Sequence, residues 1–197
     1  LYQHYKALAE TGKQIIIYNV PGRTGQNIEV STTLRLANDF PNLFMIKEAC
    51  PNINQYFEKK KKKPAGFSLV SGDDENTLPV TFAGGDGVIS VIGHGYPKEF
   101  STMVQLAFEG KIKEAYEIHN KLVDITRLIF VEGNPCGIKT ILAEKGIIKN
   151  YLRLPLVVAS EGLQAKIKAE KSIATEITLQ PSTIHVVNFP SVWNKTL

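Results

Sequence analysis

Residues that would announce extracellular, redox or metal chemistry are scarce in this chain. Its 197 residues include two cysteines, two methionines and one tryptophan. Cys50 and Cys136 lie far apart and fit no metal or redox spacing, so a reducing cytoplasm is the expected compartment. His4, His94, His119 and His185 are scattered and belong to no ligand motif, which leaves no metal to expect. No apolar run is long enough to span a membrane and no secretory leader is visible, so no membrane partner is expected. Glycine clusters are present, but none forms a nucleotide-binding turn. Gly84-Gly85-Asp86-Gly87 precedes a strand instead of leading from a strand into a helix, which makes it a poor phosphate loop. The formal charge of +4 is mild, and much of it sits in Lys59-Lys60-Lys61-Lys62-Lys63. That run lacks interleaved aromatics and precedes Pro64-Ala65-Gly66. It reads as the solvated end of a helix, and nucleic acid is not an expected partner.

What the chain does have is a regular alternation. A hydrophobic content of 43% in 197 residues suffices for a real core. An opening helix closes at Thr11-Gly12 and is followed by a strand from Gln14 to Val20, then a loop over Pro21-Gly22-Arg23-Thr24-Gly25. A helix is expected over Ser31 to Asp39, with Ser31 as its N-cap. A strand from Leu43 to Lys47 and a helix from Asn54 to Lys62 come next. The strand Phe67 to Val70, a short helix Glu75 to Phe82 and a strand Val88 to Val91 complete the alternation. Short apolar strands separated by helices argue for a parallel α/β sheet. Beyond Val91 the pattern turns helical, over Pro97 to Phe108, Lys111 to Phe130, Asn134 to Glu144 and Glu161 to Lys171. Leu152 to Leu156 reads as extended.

Four βα units are half of the eight that close a barrel, and such barrels take about 250 residues. The expected fold is therefore α/β: the C-terminal half of a (β/α)8 TIM barrel followed by a helical extension. Residues 1–96 would form the partial barrel and 97–171 the helical region. Residues 172–197, β-branched and polar, would be a divergent tail, loosely held. The chain also opens without an initiator methionine, inside a helix-like segment, so a longer parent is expected.

Lys47 is the most informative residue. It ends the apolar run Leu43-Phe44-Met45-Ile46, where a charged amine is costly unless it is paired or loses its proton. A neutral amine there suits Schiff-base formation with a carbonyl substrate, chemistry whose electron sink is the iminium itself, so no cofactor is required. Tyr18 ends the neighbouring run Ile15-Ile16-Ile17 and is either a proton shuttle or a core aromatic. Arg23 is either a surface arginine or a bidentate partner for a substrate carboxylate. Gly72 and the carbonyl of Ile89 stand at strand ends, where backbone can approach a ligand. Glu48 points to the opposite face from Lys47 and reads as an ion-pair partner in the barrel–helix layer. Asp73 and Asp74 invite a Mg²⁺ reading, but a helix start explains them without an ion.

Tyr18-Asn19-Val20-Pro21-Gly22-Arg23-Thr24-Gly25, Ile46-Lys47-Glu48-Ala49, Ser71-Gly72-Asp73-Asp74, Gly87-Val88-Ile89-Ser90-Val91 and Glu132-Gly133-Asn134-Pro135 together resemble the dihydrodipicolinate synthase family. The similarity runs from the first residues to about Lys168. The resemblance implies a pyruvate-dependent class I aldolase of lysine and diaminopimelate biosynthesis, condensing pyruvate with L-aspartate 4-semialdehyde in a homo-oligomer, usually a tetramer. It implies Lys47 as the Schiff-base lysine and Tyr18 as the proton-relay tyrosine. Arg23 would bind the semialdehyde carboxylate, and Ile89 would lie beside pyruvate through its main chain. Sialic-acid lyase and related sugar-acid aldolases share the lysine and tyrosine; Arg23 and Thr24 favour the synthase. The family's first four strands have no counterpart here, and with them go the paired threonines for the pyruvate carboxylate. Cys50-Pro51 and Gly93-His94-Gly95 also depart from the family pattern. A catalytically inactive truncated homologue or interaction partner is the competing expectation.

Overall fold

The computed structural model describes residues 1–174. Helix α1 (Tyr2–Ala9) leads to strand β1 (Ile15–Asn19), the single turn α2 (Pro21–Thr24) and helix α3 (Val30–Asp39). Strand β2 (Leu43–Glu48) and helix α4 (Ile53–Lys62) follow, then β3 (Ser68–Ser71), α5 (Thr77–Phe82) and β4 (Gly87–Val88). A 3₁₀ turn (Ile92–His94) opens the helical region, made of α6 (Pro97–Phe108), α7 (Ile112–Leu128), α8 (Cys136–Glu144) and α9 (Glu161–Ala174).

The strands pair in sequence order, β1-β2-β3-β4, all parallel. This is the sheet of half a (β/α)8 barrel, with the C-terminal helices packed beyond its last strand. Its two faces differ. Ile17, Ile46 and Leu69 are fully buried against the helices, in a core with Leu36, Leu43 and Tyr56. The opposite face, which a barrel turns inward, carries Ile16 and Tyr18, each 41% exposed, and Ile89 at 40%. A second core joins the helices, centred on Ile92, Met103, Ile125, Ile129 and Ile141. No helix among the described residues is long and apolar enough to cross a membrane.

Several elements differ from expectation for identifiable reasons. The last strand was expected to reach Val91 but stops at Val88, because the Asp74 carboxylate accepts the Val91 and Ile92 amides at 3.0 and 2.9 Å and turns the chain into the 3₁₀ segment. Ser31 is not an N-cap. Helix α3 starts one residue earlier, after Glu29, because the Ile28 amide is held by Asn19 Oδ1 at 3.0 Å and sets the entry point. The loop after β1 contains a turn of helix with Pro21 at its start, where a missing amide costs nothing, and Gly25 at its end with φ +67°. Leu152 to Leu156 is not extended throughout, since the Leu156 amide closes a turn on the Arg153 carbonyl. The tail expected to be loosely held lies outside the described residues.

Candidate active site

The register of β1 and β2 decides which side chains meet. Tyr18 pairs with Lys47, and Asn19 with Glu48. Because successive strand residues alternate faces, Tyr18 and Lys47 share the inner face, while Asn19 and Glu48 share the helix-covered one. The Lys47 Nζ stands 4.2 Å from the centroid of the Tyr18 ring. Tyr18 lies on the inner face, away from the helix-covered core, with its ring along the only charged side chain of β2 on that face.

The rim continues past the ends of the strands. The Ala49 amide donates to the Asn19 carbonyl at 2.8 Å, that of Gly72 to Glu48 at 2.7 Å, and that of Ile89 to Ser71 at 2.9 Å. Gly72 is where the Lys47 side chain crosses the backbone. A Cβ there would stand 2.9 Å from Lys47 Cγ and 3.0 Å from both Lys47 Cε and Ala49 Cβ. Ile89 lies two residues beyond Gly87, which pairs with Val70, itself the partner of Lys47. Lys47, Tyr18, Gly72 and Ile89 therefore come together on one rim. Arg23 does not join them by contact. Exposed at the end of α2, its Nη2 donates to the Asn134 carbonyl at 3.3 Å. Asn134 belongs to the loop before α8, where Gly133, Pro135, Leu156 and Val157 help line a groove of about 240 Å³.

Behind the rim lies a polar layer that composition did not reveal. The Glu48 carboxylate accepts from Asn19 Nδ2 at 2.7 Å, the Cys50 amide at 2.8 Å and Lys59 Nζ at 2.5 Å. Lys59 also donates to the Ile28 carbonyl at 2.8 Å, and both charged side chains are 1% exposed. Glu48 is thus the ion-pair partner its face suggested, whereas Lys59 corrects the reading of its run as solvated. Gln55, Tyr56 and Lys59 lie on the buried face of α4, and the flanking Lys61 and Lys62 stay exposed. The helical spacing of Tyr56 and Lys59 was the available signal.

The two aspartates after Gly72 divide their work. Asp73 Oδ1 accepts the Glu75 amide at 3.0 Å and its Oδ2 the Asn76 side-chain amide at 2.8 Å, closing the turn that precedes α5. Asp74 reaches back to Val91 and Ile92, and burial pushes its carboxyl above the ordinary range, against the opposing pull of those hydrogen bonds.

A parallel half-barrel that brings an amine and a phenol together at adjacent strand ends defines a class: the (β/α)8 proteins whose site is built at the C-terminal ends of the strands. The comparisons narrow this further. The model of the dihydrodipicolinate synthetase family matches residues 1–174, and the chain belongs to that family. It is 52% identical over 158 residues to the 4-hydroxy-tetrahydrodipicolinate synthase of Phocaeicola vulgatus, covering 80% of this chain and 53% of that protein. With the synthase of Flavobacterium psychrophilum it shares 50% identity over 168 residues, 85% of this chain and 57% of the other. Among solved structures, dihydrodipicolinate synthase from Thermotoga maritima superposes with a TM-score of 0.84 at 38% identity, over 88% of this chain and 60% of that one. A monomeric dihydrodipicolinate synthase variant superposes with a TM-score of 0.85 at 38% identity, over 89% and 60%. The chain spans between half and three fifths of the length of these relatives.

Proposed function

We propose that this chain supplies the lysine-bearing half of a lyase of the 4-hydroxy-tetrahydrodipicolinate synthase type, acting on pyruvate and L-aspartate 4-semialdehyde. The observation that carries the reading is the Lys47 amine 4.2 Å from the Tyr18 ring centroid, at paired strand ends in a chain of this family. In its neutral form the amine adds to the pyruvate ketone, and the carbinolamine loses water to give the iminium. Tyr18 passes the protons that this dehydration moves. Loss of a methyl proton gives the enamine, whose carbon attacks the aldehyde of the semialdehyde, and the new alkoxide takes a proton through Tyr18. Attack of an amine or water on the iminium then frees Lys47.

Arg23 fits as the partner of the semialdehyde carboxylate, since its planar guanidinium is exposed beside the rim and already anchored on one side by Asn134. Gly72 leaves room for Lys47 to reach the ketone, and the Ile89 main chain borders the pyruvate. No cofactor enters the scheme, because the iminium is the electron sink. A cytoplasmic homo-oligomer, a tetramer by family resemblance, belongs to the same reading, as does the division into a partial barrel (1–96) and a helical region (97–171).

The test is consumption of pyruvate by the purified chain in the presence of L-aspartate 4-semialdehyde, beside a Lys47→Ala variant. Consumption that Lys47→Ala abolishes supports the reading. A folded chain that consumes no pyruvate would be a non-catalytic homologue, and consumption only with a sugar aldehyde would make it a sugar-acid aldolase.

A further inference from the structure

We propose that Asn19, Glu48 and Lys59 are positioning residues for Lys47 and Tyr18, a clamp on the outer face of the sheet that fixes the geometry of its inner face. The proposal rests on the Schiff-base reading above. Asn19 and Glu48 are the residues directly after Tyr18 and Lys47, and they are register partners just as Tyr18 and Lys47 are. Any shift of one pair along or across the strands moves the other.

The outer pair is held from every side. Asn19 Nδ2 donates to Glu48 Oε1 at 2.7 Å and to Asn27 Oδ1 at 2.9 Å, while its Oδ1 accepts the Ile28 amide. Asn27 Nδ2 in turn donates to Gln55 Oε1 at 2.7 Å. Glu48 joins β1, the chain after β2 and α4 through Asn19, the Cys50 amide and Lys59. Strand, loop and helix thus meet on one carboxylate, directly behind the amine.

Stability does not explain this choice of residues. A buried ion pair must overcome the desolvation of both charges, and well-packed apolar residues of similar volume commonly serve as well or better. What apolar residues do not supply is direction. The carboxylate and amide fix the strand ends by oriented hydrogen bonds, and misplacement of a reacting group by about 1 Å can cost about a hundredfold in rate.

Two double variants separate positioning from folding. In Glu48→Leu/Lys59→Met both charges go and the volume stays, but the oxygen that accepts from both Asn19 and Cys50 is lost. In Glu48→Gln/Lys59→Met an amide oxygen remains for both donors. Each is folded, checked by circular dichroism and thermal melting, and labelled with pyruvate and borohydride across a range of pyruvate concentrations. The proposal predicts a maximal labelling rate at Lys47 at least about tenfold lower in the Leu/Met pair, with little change in half-saturation, and recovery to within about threefold of the parent in the Gln/Met pair. A folded Leu/Met protein that labels as fast as the parent overturns it.

Should the Leu/Met pair not fold, Asn27→Ala decides. This half-buried residue is the outer acceptor of Asn19, and a maximal labelling rate unchanged by its removal overturns the proposal. Failure of the underlying reading looks different: the unsubstituted chain, folded, would take no label, and the proposal would fall with it.

Discussion

Replacing Lys59 with Met removes one half of an ion pair whose two side chains are each 1% exposed. The carboxylate of Glu48 would keep its bonds from Asn19 and Cys50 but lose the counter-charge at 2.5 Å. Breaking a buried pair from one side costs about 3–5 kcal/mol, because the remaining charge stays desolvated. The Ile28 carbonyl also loses a donor at 2.8 Å, for about 1 kcal/mol more. Against a total stability of roughly 5–15 kcal/mol, this is a large fraction. With a urea dependence of roughly 2 kcal/mol per molar, the unfolding midpoint falls by about 2–3 M. Equilibrium urea unfolding followed by far-ultraviolet circular dichroism reads it, with Lys61→Met, at an exposed position of the same helix, as the control expected within about 0.5 kcal/mol of the parent. Equal midpoints for the two variants would refute the claim that Lys59 is structurally distinct from the rest of its run.

Other substitutions test the rim. Gly72→Ala places a methyl within 3.0 Å of the Lys47 side chain, so pyruvate-dependent labelling of Lys47 should slow by roughly ten- to a hundredfold with the fold retained, read by mass spectrometry of trapped protein. Tyr18→Phe keeps the ring beside the amine and removes the hydroxyl, and quenched-flow trapping should show labelling slower by at least about a hundredfold. Asp74→Asn tests a pH dependence. Burial raises the Asp74 carboxyl above its ordinary value of 3.8, so the folded state holds this proton more tightly than the unfolded state does. Its contribution to stability is then fully present below the unfolded value and is lost as pH rises through the raised folded one. Melting temperatures should show the parent losing ground to the Asn variant as pH climbs from about 3.8; a constant difference would contradict the shift.

The sheet was legible in the sequence because its strands are short apolar runs and parallel strands buried on the helix side need little else. Lys47 stood out for the same reason: a charge ending Leu43 to Ile46 is conspicuous, its one bland explanation being a strand-end lysine with its amine in water. Lys59 was hidden by its neighbours. A run of five lysines reads as solvated, and only the meeting of α4 with Glu48, on a strand eleven residues earlier, draws one of them inside. Asp74 was misread for a related reason: its partners at Val91 and Ile92 return only after a helix and a strand. Ser31 carried the right chemistry for a cap, but the bond from Ile28 to Asn19 had already fixed where α3 begins. In each case the residue type was visible and the long-range partner was not.

The central claim, that Lys47 is an amine presented to pyruvate, is tested most directly by incubating the folded chain with pyruvate, reducing with borohydride and mapping the adduct by peptide mass spectrometry. The account predicts a single modified residue, Lys47, with the Lys59 to Lys63 run unlabelled. Label spread over surface lysines with Lys47 spared, or a folded chain that takes none, would contradict it.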